Sequence, residues 1–482
     1  MKRYAFVLLS SVLITLSVYP FNLSFLSFFY FIPAFYGVYK SKNLKDRVLL
    51  SMFFGITIFV FNFFWAIKTM EFYGKLPPVL SYLLGIPLSI YQTIPFIIFL
   101  FTFPYLFKKN LILPALLFPI LTNLTPLIFP YSISSTLSST PYLCKSAEIW
   151  GEWGLDFILI LTNTLIFAFL IGKKRKFLLY GMSILLFLAI YPLISNTFFN
   201  EKPFSYLDTV IIQPCVYDGD SFEIKKRKFF GILNKVQEFS ENKVLIIPES
   251  ALPDDISSSP NREEIMKAIL IRLKLKAILF NCVIQENGKI YNSNIFLSGK
   301  SIDRYNKNHL MLFGEYFPFH SLIQKLPFSF ANYENFESGK KSKPLKCCEI
   351  KIATPICLES IYQGYTAAIS KNAYVIVNPT DDEWFLSKKA KMIHFAQVRT
   401  KAIENHKYLI VATNNGFTCM VSPEGEIMKK LEINKPDYLI AKIPLLKRKT
   451  VFQYIHPVLP FIFIFAFLIL LFAGKNEKSN NS

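Results

Sequence analysis

The chain has 482 residues, a formal net charge of +20, 52% hydrophobic residues and only 18% charged ones. Soluble chains carry about 25% charged residues, so a disordered or wholly soluble protein is excluded. Most Lys and Arg fall in short clusters between apolar runs, as membrane proteins mark cytoplasmic loops, and nucleic acid is not the expected partner.

Spanning helices need about 20 mainly apolar residues. In chain order the candidates are Tyr4–Val18 and Leu23–Val38, both short and hinged at Tyr19-Pro20-Phe21, then Val48–Ile67, Val79–Phe107, Leu111–Phe129, Leu155–Ile171, Phe177–Ile194 and finally Val451–Ala473. Pro87, Pro95 and Pro104 predict a kink or tilt in the Val79–Phe107 run. The expectation is a multi-pass α-helical membrane domain over 1–195, a soluble domain over 203–445 and a C-terminal transmembrane helix at 451–473, with about eight spans in all. Met1-Lys2-Arg3 before an apolar run imitates a signal peptide. No A-x-A site follows, and a second apolar run begins almost at once, so cleavage is not expected.

Orientation follows from the loops. Lys2 and Arg3, then Lys40, Lys42, Lys45 and Arg47, then Lys108 and Lys109, then Lys173, Lys174, Arg175 and Lys176, then Lys475 and Lys478 occupy alternate loops. The positive-inside rule puts these and both termini in the cytoplasm, and the loop at 130–153 and the large domain on the outer side.

In the soluble part, short β-rich runs alternate with helical patterns. Strands are expected at Thr209–Val216, Val244–Ile247, Ala277–Ile284, Ile290–Leu297, Ile350–Ile356, Tyr374–Asn378, Tyr408–Thr413, Thr418–Val421 and Tyr438–Ile443. Helices are expected around Phe229–Phe239, at Glu263–Leu275, from near Glu359 and at Ala390–Asn405. Glu286-Asn287-Gly288 reads as a hairpin turn. Such alternation argues α/β layering.

Cys144, Cys215, Cys282, Cys347, Cys348, Cys357 and Cys419 make an odd set of seven, so at least one is unpaired within the chain. There is no CxxC and no zinc-like Cys/His spacing; most read as small buried apolar residues, and no metal is expected.

Three polar residues stand apart. Glu249 follows Val-Leu-Ile-Ile-Pro, Lys307 lies in Tyr-Asn-Lys-Asn-His-Leu, and Cys357 follows the Ile350–Ile356 run. Strand ends in open α/β sheets are where sites gather. A cysteine at a strand-to-helix corner is expected to have its thiol pKa lowered by the helix N-terminal field. A carboxylate can take the thiol proton and a lysine can stabilise an oxyanion, which together make an acyl-transfer site. Singly, each has a plainer reading: a packed cysteine, a solvated glutamate, a surface lysine.

The local strings Ile-Pro-Glu249-Ser, Tyr305-Asn-Lys307-Asn-His-Leu with Phe313-Gly-Glu315-Tyr-Phe-Pro, and Cys357-Leu-Glu359, in this order, resemble the nitrilase superfamily. Tyr291-Asn292-Ser293, Asn414-Asn415-Gly416, Gly55 with Trp65, and Trp153-Gly154-Leu155 are similar to its membrane branch, the apolipoprotein N-acyltransferases. The resemblance implies an α-β-β-α sandwich with Glu249 as base, Cys357 as nucleophile, and Lys307 with a backbone N–H near Leu358 as oxyanion stabilisers. Glu315 and Glu359 would orient Lys307 and the nucleophile loop. It also implies ping-pong transfer of an acyl chain from a phospholipid to diacylglyceryl-modified apolipoproteins, with no cofactor, in a monomeric enzyme of the cell inner membrane whose catalytic domain is periplasmic.

Departures from the family pattern are Met311-Leu312 before Phe-Gly-Glu-Tyr, Leu358 after the cysteine, Leu386 after Trp384-Phe385, and Val411 in place of an Arg. They bear on lipid preference. The apolar residues of 317–330 either dip into the membrane interface and gate lipid entry or pack on their own domain. Two rivals remain: a membrane-tethered nitrilase-type amidase, against which so many spans argue, and a transporter with an inactive outer domain. Transport would predict intramembrane charges; the nearest candidate, Asp156, is expected close to the interface.

Overall fold

A computed structural model describes residues 1–172, 174–199, 201–299, 301–318, 335–340, 343–347 and 349–473. The chain divides into two compact units. Met1–Phe72, Leu76–Asn200 and Tyr454–Ser482 form one, and Tyr73–Lys75 with Glu201–Gln453 form the other.

The first unit is helical: α1 (Lys2–Ser17), α2 (Ile32–Tyr39), α3 (Leu44–Asn62), α4 (Trp65–Phe72), α5 (Pro78–Lys109), α6 (Leu113–Leu124), α7 (Ala147–Leu170), α8 (Lys176–Phe198) and an apolar C-terminal helix, Leu459–Ala473. Among the described residues α5, α7 and α8 are long and apolar enough to cross a membrane, and α3 with α4, bent by 61° at their break, makes a fourth if counted as one span. Each of the eight expected apolar runs is largely helical, but four are too short or broken to count as spans by length. The 23–38 run is a 3-10 turn, Ser24–Phe28, followed by α2. Helix α6 ends at Leu124, with Thr125 extended ahead of Pro126, as a residue before proline favours. Hydropathy counts apolar residues and is blind to where the backbone breaks.

The 130–153 stretch is not an open loop. It folds into 3-10 turns Ile133–Leu137 and Pro141–Cys144 and the start of α7. Gly151, at φ 64°, breaks helical geometry inside α7, a conformation that glycine adopts without steric cost. Asp156 is fully buried within α7.

The core of this unit is aromatic. Phe31, Phe35, Phe99, Phe103, Phe118 and Phe167 interlock, with Phe35 and Phe103 stacked at 3.7 Å between ring centroids. Where helices break, polar side chains take up the freed backbone. Asn163 accepts from Phe31 N (3.0 Å) and donates to Ser27 O (2.9 Å). Gln92 donates to Phe129 O (2.6 Å), and Asp156 accepts from Ser134 N (2.8 Å) and Ser132 Oγ (2.7 Å).

The second unit holds two six-stranded mixed sheets, β12-β1-β2-β3-β4-β5 and β11-β10-β9-β8-β7-β6. The strands are β1 (Ser205–Gln213), β2 (Val244–Ile246), β3 (Ala277–Glu286), β4 (Lys289–Ser298), β5 (Ile302–Asn306), β6 (Leu345–Cys347), β7 (Ile350–Ala353), β8 (Val375–Thr380), β9 (Leu409–Thr413), β10 (Cys419–Val421), β11 (Ile427–Lys430) and β12 (Asp437–Leu445). Strands β1-β2-β3 and β7-β8-β9 run parallel, and the outer strands are antiparallel. Asn287 and Gly288, both at positive φ, make the expected two-residue turn between β3 and β4.

Helices α9 (Phe222–Val236) and α10 (Arg262–Arg272) lay Phe229, Leu233, Met266 and Ile269 against Val210, Leu245, Ile278 and Phe280 of the first sheet. Helices α11 (Tyr365–Ser370) and α12 (Lys388–Asn405) pack on the second. The sheets meet through buried bonds: Thr418 Oγ1 donates to Gln213 Oε1 (2.6 Å), and Asn294 Nδ2 to Thr354 Oγ1 (2.6 Å). This is the α-β-β-α order of a nitrilase-like fold. Strands β5, β6 and β11 have no counterpart among the expected elements, and the others differ by a few residues at their ends.

Candidate active site

Each candidate side chain leaves the end of a strand. Glu249 stands three residues beyond β2, Lys307 directly follows β5, and Cys357 lies just past β7. All three are buried, together with Glu315 and Glu359.

Lys307 Nζ lies 2.8 Å from Glu315 Oε1 and 3.4 Å from Glu249 Oε1. Asn292 Nδ2 donates to both carboxylates, at 2.8 Å to Glu249 and 2.7 Å to Glu315. Glu249 Oε2 accepts from Asp381 N at 3.0 Å, and Glu315 Oε2 from Met311 N at 2.8 Å. Burial alone would push the Lys307 ammonium down. Glu249 and Glu315 outweigh it and hold its pKa well above the usual lysine value.

Cys357 opens a five-residue 3-10 turn, Cys357–Ile361, at φ 51°. A non-glycine residue in that region is strained and persists only where its surroundings over-determine it. Asn378 Nδ2 supplies part of that restraint, donating to Pro355 O (2.9 Å) and Cys357 O (3.1 Å). Glu359 supplies the rest. Its carboxylate accepts from Ile356 N (2.8 Å), His309 N (2.9 Å) and Tyr305 Oη (2.8 Å), so one side chain ties the nucleophile loop to the lysine loop.

The expected lowering of the Cys357 thiol pKa is not what the structure has. Burial, then the Glu249 charge, push it well above the usual cysteine value, with Lys307 opposing them. The expected helix start is a short 3-10 turn, whose field is too weak to offset burial. A thiol held protonated beside a carboxylate and an ammonium is a nucleophile that needs its base at the moment of attack.

Two matched regions identify the lineage. Residues 10–165 match the apolipoprotein N-acyltransferase N-terminal domain, and residues 256–450 match the carbon-nitrogen hydrolase family. Apolipoprotein N-acyltransferase of Aquifex aeolicus is 28% identical over 455 residues, covering 90% of this chain and 97% of its own. The chain belongs to the apolipoprotein N-acyltransferase family. The Rickettsia prowazekii apolipoprotein N-acyltransferase is 26% identical, covering 86% of this chain and 88% of its own. Saccharomyces cerevisiae Nit3, of branch 10 of the nitrilase superfamily, superposes with a TM-score of 0.39 at 17% identity, over 54% of this chain and 96% of its own.

Within this apolipoprotein N-acyltransferase relative, two contributors to the site went unassigned in the sequence. Asn292 bridges the two carboxylates; its string Tyr291-Asn292-Ser293 was the available signal. Asp381 contributes a backbone N–H, for which a side-chain string offers no signal. Gly416 is required by close approach, since a Cβ there would meet Asp382 Oδ2 at 2.0 Å. Of the apolar arm, 319–330 and Cys348 lie outside the described residues.

Proposed function

We propose that this chain transfers an acyl chain from a membrane phospholipid, through a thioester on Cys357, to the α-amino group of the lipid-modified N-terminal cysteine of apolipoproteins. What supports it most is the buried Glu249–Lys307–Cys357 group in a chain that matches both halves of this family.

In this reading Glu249 takes the Cys357 proton as sulfur attacks the ester carbonyl. Lys307, with a backbone N–H near Leu358, stabilises the tetrahedral oxyanion. The lysophospholipid leaves with a proton from Glu249. The α-amino nitrogen then attacks the thioester, Glu249 accepts its proton, and the C–S bond breaks as the amide forms. Glu315 and Asn292 hold Lys307 and Glu249 in register, and Glu359 holds the loops that carry Lys307 and Cys357. Every step is carried by side chains and backbone of the chain itself.

The basic loops support an inner-membrane location with about eight crossings, both termini in the cytoplasm and the catalytic unit on the periplasmic side, where exported lipoproteins and outer-leaflet phospholipid meet. Apolar segments too short to span as straight helices cross, in this reading, as broken ones buried in protein. The enzyme acts as a monomer and takes no nucleic acid.

The test is incubation of the purified full chain with acyl-radiolabelled phospholipid. A hydroxylamine-sensitive label on Cys357 that chases onto a diacylglyceryl-peptide amine is expected; no label on Cys357 would overturn the mechanism. A reporter fused after Asn200 that is active only in the cytoplasm would overturn the topology.

A further inference from the structure

Lys307 follows a strand of one sheet and Cys357 a strand of the other, so their spacing depends on what joins the two loops. Glu359 is one such link. Tyr365 makes a second, and the mechanism above gives it no role.

Tyr365 opens α11 and is held to the nucleophile's turn. Gly364, at φ 78°, turns the chain there, and Thr366 Oγ1 donates to Ser360 O at 3.0 Å. From this anchor Tyr365 touches three residues that bracket Lys307. Its hydroxyl bonds the Tyr305 hydroxyl and accepts from Asn308 Nδ2, and its ring meets the His309 ring edge-on at 4.5 Å between centroids. Tyr305 stands two residues before Lys307, and Asn308 and His309 follow it directly.

Proton bookkeeping fixes the direction of these bonds. A phenol has one proton to donate. Tyr305 gives its own to Glu359 Oε2 at 2.8 Å, so Tyr365 donates to Tyr305 while Asn308 donates to Tyr365. Three bonds therefore run head to tail from the Asn308 amide to the Glu359 carboxylate, an order in which each bond strengthens the next. The Tyr365 hydroxyl is the middle of that chain.

We propose that Tyr365 is a positioning residue for acyl transfer, fixing the loop of Lys307 to the turn of Cys357 so that the ammonium stands where the oxyanion forms. It makes and breaks no bond with the substrate and acts only through Lys307. The Cys357 turn keeps its own restraints, Asn378 on the Cys357 carbonyl and Glu359 on Ile356 N. Cutting the chain therefore frees the lysine loop and leaves the nucleophile in place. A donor aimed at a developing oxyanion is effective only while it is held in position.

This rests on the acyl-transfer reading, and the test keeps the two apart. Full-length wild type, Tyr365→Phe, Asn308→Ala and the double variant are purified in one detergent. Phe keeps the ring and removes only the hydroxyl; Ala at 308 removes the start of the chain and keeps the backbone N–H. Two reactions are compared in each: alkylation of Cys357 by iodoacetamide, and single-turnover acylation from radiolabelled phospholipid over a range of donor concentrations. Alkylation needs the thiolate but forms no oxyanion, so Tyr365→Phe should stay within about twofold of wild type. Its acylation at saturating donor should slow about tenfold, with the half-saturating concentration unchanged. The double variant should be no slower than Tyr365→Phe, because both changes cut one chain. A Tyr365→Phe enzyme that acylates at the wild-type rate would overturn the proposal. So would one whose alkylation falls in step with its acylation, since the hydroxyl would then serve Cys357 or the fold at large. Should Tyr365→Phe fail to fold, Asn308→Ala decides by the same pair of rates. Wild type that alkylates at Cys357 but never forms a thioester would overturn the acyl-transfer reading itself, and the role of Tyr365 with it.

Discussion

In the helical unit, buried polar side chains serve the backbone: Asn163 closes the break between the Ser24–Phe28 turn and α2, Gln92 holds Phe129, and Asp156 holds the turn at Ser134. In the second unit, buried polar side chains serve each other: Lys307, Glu249, Glu315 and Asn292 form one connected set around Cys357. The first arrangement replaces missing helix hydrogen bonds where water is absent. The second gathers charges whose burial is tolerable only because they are paired. The same chemistry, a buried hydrogen bond, therefore carries structure in one unit and reactivity in the other, and substitutions should separate the two.

The largest effect is expected at Cys357. Cys357→Ala should abolish transfer and leave no acyl-enzyme, with a circular dichroism spectrum like wild type. Cys357→Ser should be almost as inactive, because a serine hydroxyl is far less acidic than a thiol. The other described cysteines are buried and should tolerate Ala with modest loss.

Next is Lys307→Met. On the proposed mechanism it removes an oxyanion stabiliser, so the rate should fall roughly 10²- to 10³-fold or more. It also strands Glu249 and Glu315 without a cation, and stability should drop by about 3–5 kcal/mol. Chemical denaturation alongside single-turnover rates checks both. A variant that lost rate alone, with unchanged stability, would show that the carboxylates do not need their ion pair.

Gly416→Ala should be milder. Its Cβ would meet Asp382 Oδ2 at 2.0 Å, so the Asp382 side chain and its contact with His394 must shift. Asp381, one residue earlier, gives its N–H to Glu249, and a rate loss of about tenfold with the fold intact is the expected result. An unchanged rate would mean that the displacement of Asp382 does not reach the base.

Asn163→Leu should act in the opposite manner. It leaves Phe31 N and Ser27 O without their partners, costing about 1–3 kcal/mol of stability in detergent. The turnover of molecules that remain folded should be unchanged. Loss of turnover without loss of stability would erase the distinction between the units.

What was legible in the sequence differs between the units for physical reasons. The candidate side chains that the structure brings together stood out because each sits in a short string at a strand end, and the hairpin at Asn287-Gly288 follows from local turn chemistry. Strand β5, Ile-Asp-Arg-Tyr-Asn, could not, since its pairing with β4 rather than its own pattern makes it a strand. The Cys357 pKa was misjudged because burial and the approach of Glu249 are tertiary facts. The spans were legible only coarsely, three or four helices being long enough by length, because a breaking backbone is held by distant side chains such as Asn163, and composition carries no record of that.

The smallest effect concerns pH and Glu359. Burial pushes this carboxyl up from 4.5 to about 7, against the pull of the Ile356 and His309 N–H groups. The folded state therefore keeps its proton at pH values where the unfolded chain has lost it. The stability this contributes is fully present below the unfolded pKa, near 4.5, and is lost as pH rises through about 7. Across that window the change should be on the order of 1–3 kcal/mol. Glu359→Gln cannot titrate, so its unfolding midpoint should lack this component. The difference between wild type and variant, measured from pH 5 to pH 8, isolates it from every other titrating group. Wild type should lose stability relative to the variant as pH rises. A difference that stays flat, or that grows in favour of wild type, would mean that the donors from Ile356, His309 and Tyr305 already hold Glu359 ionised. In that case the carboxylate would belong with the paired charges of the site rather than apart from them.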